Sequence, residues 1–296
     1  MSANQRLLLV HAHPDDESIG TGATMAKYVA AGAQVTLVTC TLGDEGEILI
    51  PELAHLAAHD QDQLAGHRLA ELAEAMAFLG VTDYRILGGI GTYRDSGMIG
   101  TEPNSRPDSF WQADLLDAAK HLVKVIREVK PQVVVTYDDF GGYGHPDHIQ
   151  AHRVTTYAVA LAGVASFAPE LGLPWHISKL YWTAFPVSVM RAGIEALRAA
   201  GEDTGFAAQD PDDVPFACPD EFITTVIDAT EHIEQKFSAL RAHATQINAE
   251  SGFFALSNNL GSQVMGYEYY RLAFGEIGPI DASGHETDLF SGIFDA

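Results

Sequence analysis

Two short stretches of the chain concentrate residue types that bind metals and move protons. The first is His11-Ala12-His13-Pro14-Asp15-Asp16 and the second Tyr143-Gly144-His145-Pro146-Asp147-His148. Each lies just beyond an apolar run, Leu7 to Val10 in one case and Val133 to Thr136 in the other. Imidazole and carboxylate are zinc ligands, and catalytic zinc sites use three protein ligands and keep a further position for water. His13 and Asp16 are spaced i, i+3, so one turn opening at Pro14 can aim both at a single point. Pro146 repeats the arrangement and is expected to open a helix carrying Asp147 and His148. Proline suits a first helical turn because its missing N–H would have no partner there. His13, Asp16 and His148 are therefore the candidate metal ligands. A lone His-Pro-Asp also serves as a capping turn, its Asp accepting N–H bonds at a helix start. Two such turns, each between a strand and a helix, favour the metal site.

The neighbouring side chains supply the rest of a hydrolytic reaction. Asp15, next to ligand Asp16, suits a general base, because a zinc ion brings the pKa of its water down to about 7 and a carboxylate can then take the proton. His145 is the candidate acid or oxyanion stabiliser, Asp147 is expected to orient it, and Tyr143 can add an oxyanion hydrogen bond. This pairing predicts a bell-shaped pH profile, rising as the water ionises and falling as His145 loses its proton.

Strands and helices must bring the two stretches together. Leu7 to Val10 reads as a strand buried on both faces, followed by a helical pattern from about Gly22 to Ala31. A second strand is expected over Gln34 to Cys40, then a Gly- and Glu-rich loop from Gly43 to Glu47. Leu64, Leu69, Leu72, Met76 and Leu79 form one helical stripe, with Gly80 as its C-cap. Tyr84 to Leu87 reads as a strand, Ala113 to Val129 as a helix, Val133 to Thr136 as a strand, and the residues after His148 as a helix to about Ala162. This alternation predicts right-handed βαβ units in a Rossmann-like, doubly wound, mostly parallel α/β sheet. Such sheets bind ligands outside the carboxyl ends of their strands, where both stretches fall. Beyond Gly163 the pattern weakens: strands are expected at Leu180 to Ala184 and Phe222 to Ile227, a helix at Glu231 to His243, and a loop over Gln209 to Pro219. The chain reads as one domain, residues 1–296, with a core of about 1–165 and a C-terminal α/β elaboration of about 166–296.

Composition narrows the partners. With 17 Lys and Arg against 40 Asp and Glu, the net charge is −23, which repels phosphate backbones and anionic lipid. Nucleic acid and membrane are thus not expected partners; a small molecule is. The hydrophobic fraction of 47% and charged fraction of 19% suit a globular protein. Cys40 and Cys218 are expected to be free thiols, and Leu7 to Val10 is too short for a signal-peptide core, which together imply the cytoplasm. The sequence leaves the oligomeric state open.

Ala12-His13-Pro14-Asp15-Asp16-Glu17 together with Gly144-His145-Pro146-Asp147-His148 resembles the PIG-L (LmbE-like) family of zinc deacetylases, which remove N-acyl groups from glucosamine-containing substrates on a Rossmann-like fold. The resemblance extends to Thr41-Leu42-Gly43, Tyr93 to Met98, Gly141-Gly142-Tyr143, Ala242 to Gln246 and Glu286 to Leu289. It is nearest to the branch that removes acetate from N-acetylglucosaminyl-inositol in mycothiol biosynthesis. It implies the same ligands, base and acid as above, and substrate contacts at Arg68, Asp95 and Glu47. An ordinary reading competes at these last positions, since a helical Arg is often ion-paired and loop acids often cap turns. The native metal is open, because His and carboxylate ligands also accept iron(II), cobalt or manganese.

Two other readings stand beside this one. A sister branch cleaves mycothiol S-conjugates and carries a lysine where this chain has Gly20. A non-catalytic sugar- or metal-binding protein would have no use for Asp15. His55 and His59 share an i, i+4 spacing but lack a third ligand and read as a surface or lid helix; His152 reads as outer-shell or solvent-facing, and Tyr267, Tyr269 and Tyr270 as packing. No Gly-rich phosphate loop follows the first strand, so a dinucleotide-binding reading ranks last.

Overall fold

A computed structural model describes residues 4–199, 201, 205–210, 214, 216–248 and 265–293. Its first strand, β1 (Arg6–His11), alternates between two buried layers: Leu7 and Leu9 enter one core, Leu8 and Val10 the other. This is why its sequence is continuously apolar rather than alternating. The first core is closed by α1 (Asp16–Ala30), α2 (Leu64–Leu79) and α6 (Ile233–Ala242), the second by α3 (Leu115–Val129) and α4 (Pro146–Ala162).

The sheet adds β2 (Gln34–Thr39), β3 (Asp83–Ile86), β4 (Val133–Thr136), β5 (Lys179–Pro186), β7 (Thr225–Asp228) and β8 (Tyr267–Phe274), in the order β3-β2-β1-β4-β5-β8-β7. A two-residue strand, β6 (Ala217–Cys218), pairs with the end of β5. Strands β3, β2, β1, β4 and β5 are mutually parallel, with Leu9 opposite both Leu37 and Val135. β8 runs antiparallel to β5 and to β7. The doubly wound, mostly parallel sheet is the architecture that the strand–helix alternation predicts.

Local signals explain most element ends. Asp114 caps α3 by accepting from the N–H groups of Leu116 and Asp117, and the buried Ala118, Ala119, Leu122, Val123 and Ile126 form its inner stripe. Truncating one such leucine, Leu122→Ala, costs about 2–5 kcal/mol. Gly80 ends α2 at φ 74°, the left-handed conformation that glycine adopts without a Cβ penalty.

Several expectations need adjustment. Beyond residue 166 the chain extends the same sheet through β5, β8 and β7, and α6 packs in the first core. The strand expected from Phe222 begins at Thr225, with Phe222 in a 3₁₀ turn (Asp220–Phe222). β8 and α5 (Val187–Ala199) have no counterpart in the sequence reading. In β8 the inward Glu268 breaks the period-2 pattern; it is buried because Lys236 pairs with it at 2.8 Å and the N–H groups of Ala23 and Thr24 donate to it. Within the loop expected at 209–219, Ala217 and Cys218 form β6, while residues 211–213 and 215 lie outside the described residues. His55 sits in a 3₁₀ turn (Pro51–Leu56) that ends before His59, so the two do not share a helical face. Among the described residues, no helix is long and apolar enough to cross a membrane. Both cysteines are free.

Candidate metal centre and active site

The strand order reverses between β1 and β4, which are adjacent and parallel although residues 13 and 147 lie 134 apart in sequence. A crevice at such a switch point is the standard ligand site of an open α/β sheet. The His13 turn leaves the carboxyl end of β1, and the His145 turn enters α4 beyond β4.

The two turns differ in construction. Pro146 is the first residue of α4 and His145 its N-cap, as the proline predicts. Pro14, by contrast, precedes its helix: α1 starts at Asp16, and the N-cap Asp15 has φ 117° and ψ −36°. A non-glycine residue there is strained by about 1–3 kcal/mol and persists only where its surroundings over-determine it.

His13, Asp16 and His148 meet. Oδ2 of Asp16 lies 3.5 Å from Nδ1 of His13 and 3.3 Å from Nε2 of His148, and the two imidazole centroids are 5.3 Å apart. Nε2 of His148 is buried and has no hydrogen-bond partner, an arrangement that costs free energy unless something else binds it. Burial opposes charge on His13, but Asp95, Asp147 and Asp16 outweigh it and raise its pKa well above the usual value. A site that holds a proton this firmly is electrostatically suited to a divalent cation. Its donors, two imidazoles and a carboxylate, also match a catalytic metal site. Nitrogens of His13, His145 and His148 come within 4.8 Å of one another, as do donors of His13, Asp95 and Asp147. The latter acids face Nε2 of His13, at 3.6 and 3.1 Å, on the side away from Asp16. They therefore read as its outer shell.

That geometry corrects one expectation. The Asp147 carboxylate does not orient His145; it accepts from Nε2 of His13 and from the backbone N–H and hydroxyl of Ser96. A ligating histidine tied through its other nitrogen to a carboxylate has a fixed tautomer and ring plane. What Asp147 gives His145 is its backbone N–H, which donates to Nδ1 at 3.1 Å. Neutral His145 must then carry its proton on Nε2. Burial, reinforced by His13 and His148, depresses its pKa to about 3. In its neutral form His145 is thus a hydrogen-bond donor toward the cavity. Tyr143 packs edge-on to both His145 and His148, at centroid distances of 6.1 and 4.9 Å. Burial and then Asp16 push its phenol up, so it stays protonated.

Asp15 sits beside this cluster, its carboxylate 3.2 Å from Arg68. Burial raises Asp15 to about 6, while Arg68 pulls the other way. Arg68, buried on α2, also donates to the carbonyls of Gly43 and Pro14. It fastens two loops around the candidate base as well as lining the cavity. Gly43 is required here: a Cβ at this position would lie 1.7 Å from Nη1 of Arg68, and its φ is 66°.

His13, Asp15, Asp16, Arg68, Tyr143, His145 and His148 open into one cavity of about 600 Å³, within the range of small-molecule sites. Glu47 and Asp95 line it too. Asp95 is buried and accepts from the N–H groups of Gly97 and Glu45, which leaves it partly a loop organiser. The cavity also takes in residues that the sequence reading passed over. Tyr137 stacks on His148 at 4.3 Å, accepts from the N–H of Ala12, and bonds Nδ1 of His11. Its position one residue beyond β4 is the signal that could have found it. Trp182 and Arg271, stacked 5.2 Å apart on β5 and β8, form part of the far wall, and their pairing depends on β8, a strand without a counterpart in the sequence reading. His152 bonds the Tyr137 carbonyl and contacts Trp182, an outer-shell position.

Comparison with known proteins matches residues 8–159 to the family described as PIG-L, GlcNAc-PI de-N-acetylase. A protein of Nocardioides sp. named 1D-myo-inositol 2-acetamido-2-deoxy-alpha-D-glucopyranoside deacetylase is 60% identical over 99% of this chain and 100% of its own length. A protein of the same name from Geodermatophilus obscurus is 60% identical, covering 99% of each chain. Among solved structures, the N,N'-diacetylchitobiose deacetylase of Pyrococcus horikoshii superimposes with a TM-score of 0.60 at 20% identity, covering 90% of this chain and 83% of its own. The 4-carboxy-2-hydroxymuconate hydratase of Pseudomonas putida reaches a TM-score of 0.60 at 18% identity, covering 94% of this chain and 100% of its own. At such identity these two likenesses show the fold alone, and the second shows that this fold also hosts other chemistry.

Proposed function

This chain belongs to the PIG-L (GlcNAc-PI de-N-acetylase) family, and from that premise we propose that it removes the N-acetyl group from N-acetylglucosaminyl-inositol, the deacetylation step of mycothiol biosynthesis. The observation that carries the reading is near-full-length identity of 60% to proteins named for that reaction, joined to a hydrolytic constellation at the sheet's switch point.

His13, Asp16 and His148 would hold a divalent metal, zinc by donor type with iron(II) as the alternative; the buried Nε2 of His148, which makes no hydrogen bond and faces Asp16 at 3.3 Å, supports the assignment. When bound, the ion supplies Lewis-acid charge that polarises an amide carbonyl and acidifies water. Asp15 takes the proton of the attacking water. At about 6 its pKa leaves it ionised at neutral pH yet more basic than an ordinary carboxylate, the compromise that general-base catalysis favours. Neutral His145 donates its Nε2–H to the oxygen that gains charge as the amide carbon becomes tetrahedral, and the Tyr143 hydroxyl is a second donor. The proton that Asp15 has taken from the water then returns to the departing amine. Asp147 holds His13 in place rather than touching substrate. Arg68, Asp95 and Glu47 bind sugar and inositol hydroxyls, ionised groups making the stronger hydrogen bonds to them.

Acetate release from N-acetylglucosaminyl-inositol, set against turnover of a mycothiol S-conjugate, tests the reading. The expected result is preference for the acetylated pseudodisaccharide, abolished by chelation and restored by divalent metal. A clear preference for the conjugate would overturn the substrate assignment.

A further inference from the structure

The strained peptide at Asp15 raises the question of what holds it. Its carbonyl accepts from the N–H groups of Ser18 and Ile19, both at 3.0 Å, as any N-cap carbonyl can. Its own N–H is treated differently: it donates to Oε2 of Glu17 at 2.9 Å. Glu17 is fully buried, yet it points back toward the chain instead of outward to solvent. A buried carboxylate needs several donors to offset its lost hydration. Its second oxygen finds two: the Ser18 hydroxyl at 2.6 Å and Nε2 of His243 at 2.8 Å.

His243 comes from the other end of the chain, just past α6, and is as inaccessible as Glu17. The turn that carries it is itself anchored. Thr245 donates its N–H and hydroxyl to Glu71 of α2, and its carbonyl accepts from Leu49; Gln246 donates to the carbonyl of Glu47. The segment thus ties α2, the loop over residues 47–49 and the start of α1 together, and His243 is its contact with Glu17, which in turn bonds the Asp15 N–H.

We propose that Glu17 and His243 are positioning residues for amide hydrolysis, holding the Asp15 peptide in its positive-φ conformation so that the Asp15 carboxylate faces the cavity beside Asp16 and Arg68. The inference rests on Asp15 being the base, as assigned above. Neither residue lines the cavity, so both act through Asp15. Without the Glu17 acceptor the Asp15 N–H loses its partner and the strained dihedral relaxes toward an ordinary N-cap geometry. That rotation swings the carboxylate, and misplacement of a catalytic group by about 1 Å can cost about 100-fold in rate.

The test is a double-mutant cycle on the full-length, metal-loaded protein: Glu17→Ala and Glu17→Gln, each alone and combined with Asp15→Asn, read by acetate release, thermal midpoint and bound-metal content. Glu17→Ala is expected to lower kcat by about 10–100-fold with KM within about threefold, because positioning of the base is realised in the transition state. Bound metal should be unchanged. Glu17→Gln keeps an oxygen for the Asp15 N–H and should recover most of the loss. In the Asp15→Asn background, Glu17→Ala should add less than about twofold, since coupled residues are not additive. The same loss recurring in that background, or wild-type kcat in Glu17→Ala, overturns the proposal. Should Glu17→Ala fail to fold, Ser18→Ala and His243→Ala each remove one support of Glu17, and wild-type kcat in both overturns it equally. Full activity in Asp15→Asn would sink the base assignment and the positioning inference together. Loss in Asp15→Asn with none in Glu17→Ala would sink the positioning inference alone.

Discussion

Replacing Asp15 with Asn should make the metal-free protein more stable at neutral pH while removing its activity. The Asp15 carboxyl is raised from 3.8 to about 6, burial being the larger cause and Arg68 opposing it. A shift of about two units corresponds to about 3 kcal/mol favouring the protonated form in the folded state. The sign follows from proton linkage. Between pH 3.8 and about 6 the folded chain binds more protons at this site than the unfolded chain, so wild-type stability falls as pH rises through that window. Below the window both states carry the proton and nothing is lost; above it the full penalty is present. Asn stands in for the protonated acid and does not titrate, and it tolerates positive φ better than most residues. At pH 7.5 the variant should therefore unfold about 6 °C higher after chelation, at about 2 °C per kcal/mol for a chain of this size. At pH 4, near the foot of the window, the gain should shrink to about 1 °C. Thermal unfolding of chelated wild type and Asp15→Asn across pH 4 to 8 measures this, and kcat of the metal-loaded variant should fall by about 10²–10⁴. An Asn variant no more stable than wild type at pH 7.5, or an equal gain at both pH values, would refute the account of Asp15 as a partly buried, destabilised base.

Other perturbations separate the roles of neighbouring groups. His148→Ala removes a proposed ligand and should abolish stoichiometric metal binding, read by metal analysis of the purified protein. Asp147→Asn frees Nε2 of His13 from its carboxylate and should weaken metal affinity by about 10–100-fold while leaving the free protein folded. His145→Gln removes the proposed oxyanion donor and should lower kcat by about 10²–10³, with the acid limb of the pH profile unmoved where that limb is set by the proposed base Asp15 and the water. A shift of that limb in His145→Gln would argue that His145 itself titrates. Gly43→Ala drives a methyl group into the Arg68 guanidinium and should be destabilised, with activity lost through Asp15 rather than through the metal.

The chain's chemistry was written locally. Two His-Pro-Asp turns, the apolar runs before them and the helical stripes after them are short-range patterns, and short-range physics sets them: β1 is apolar throughout because both of its faces are covered, Pro146 opens α4, and Gly80 closes α2. Fold class and the residue types of the site follow from these patterns. The weak stretches were those where a buried charge interrupts the period, as Glu268 does in β8. Partnership was decided by tertiary structure alone. That β1 lies against β4 is a matter of strand order, and with Leu9 opposite Val135 it puts His13 within reach of Asp147 rather than leaving Asp147 to His145. The same folding brings His243 from beyond α6 onto Glu17 and Arg68 from α2 onto Asp15. A sequence specifies which groups are present, but a hydrogen bond depends on distances of about 3 Å between atoms. Over separations of hundreds of residues those distances are fixed only when the sheet is assembled and its helices have packed.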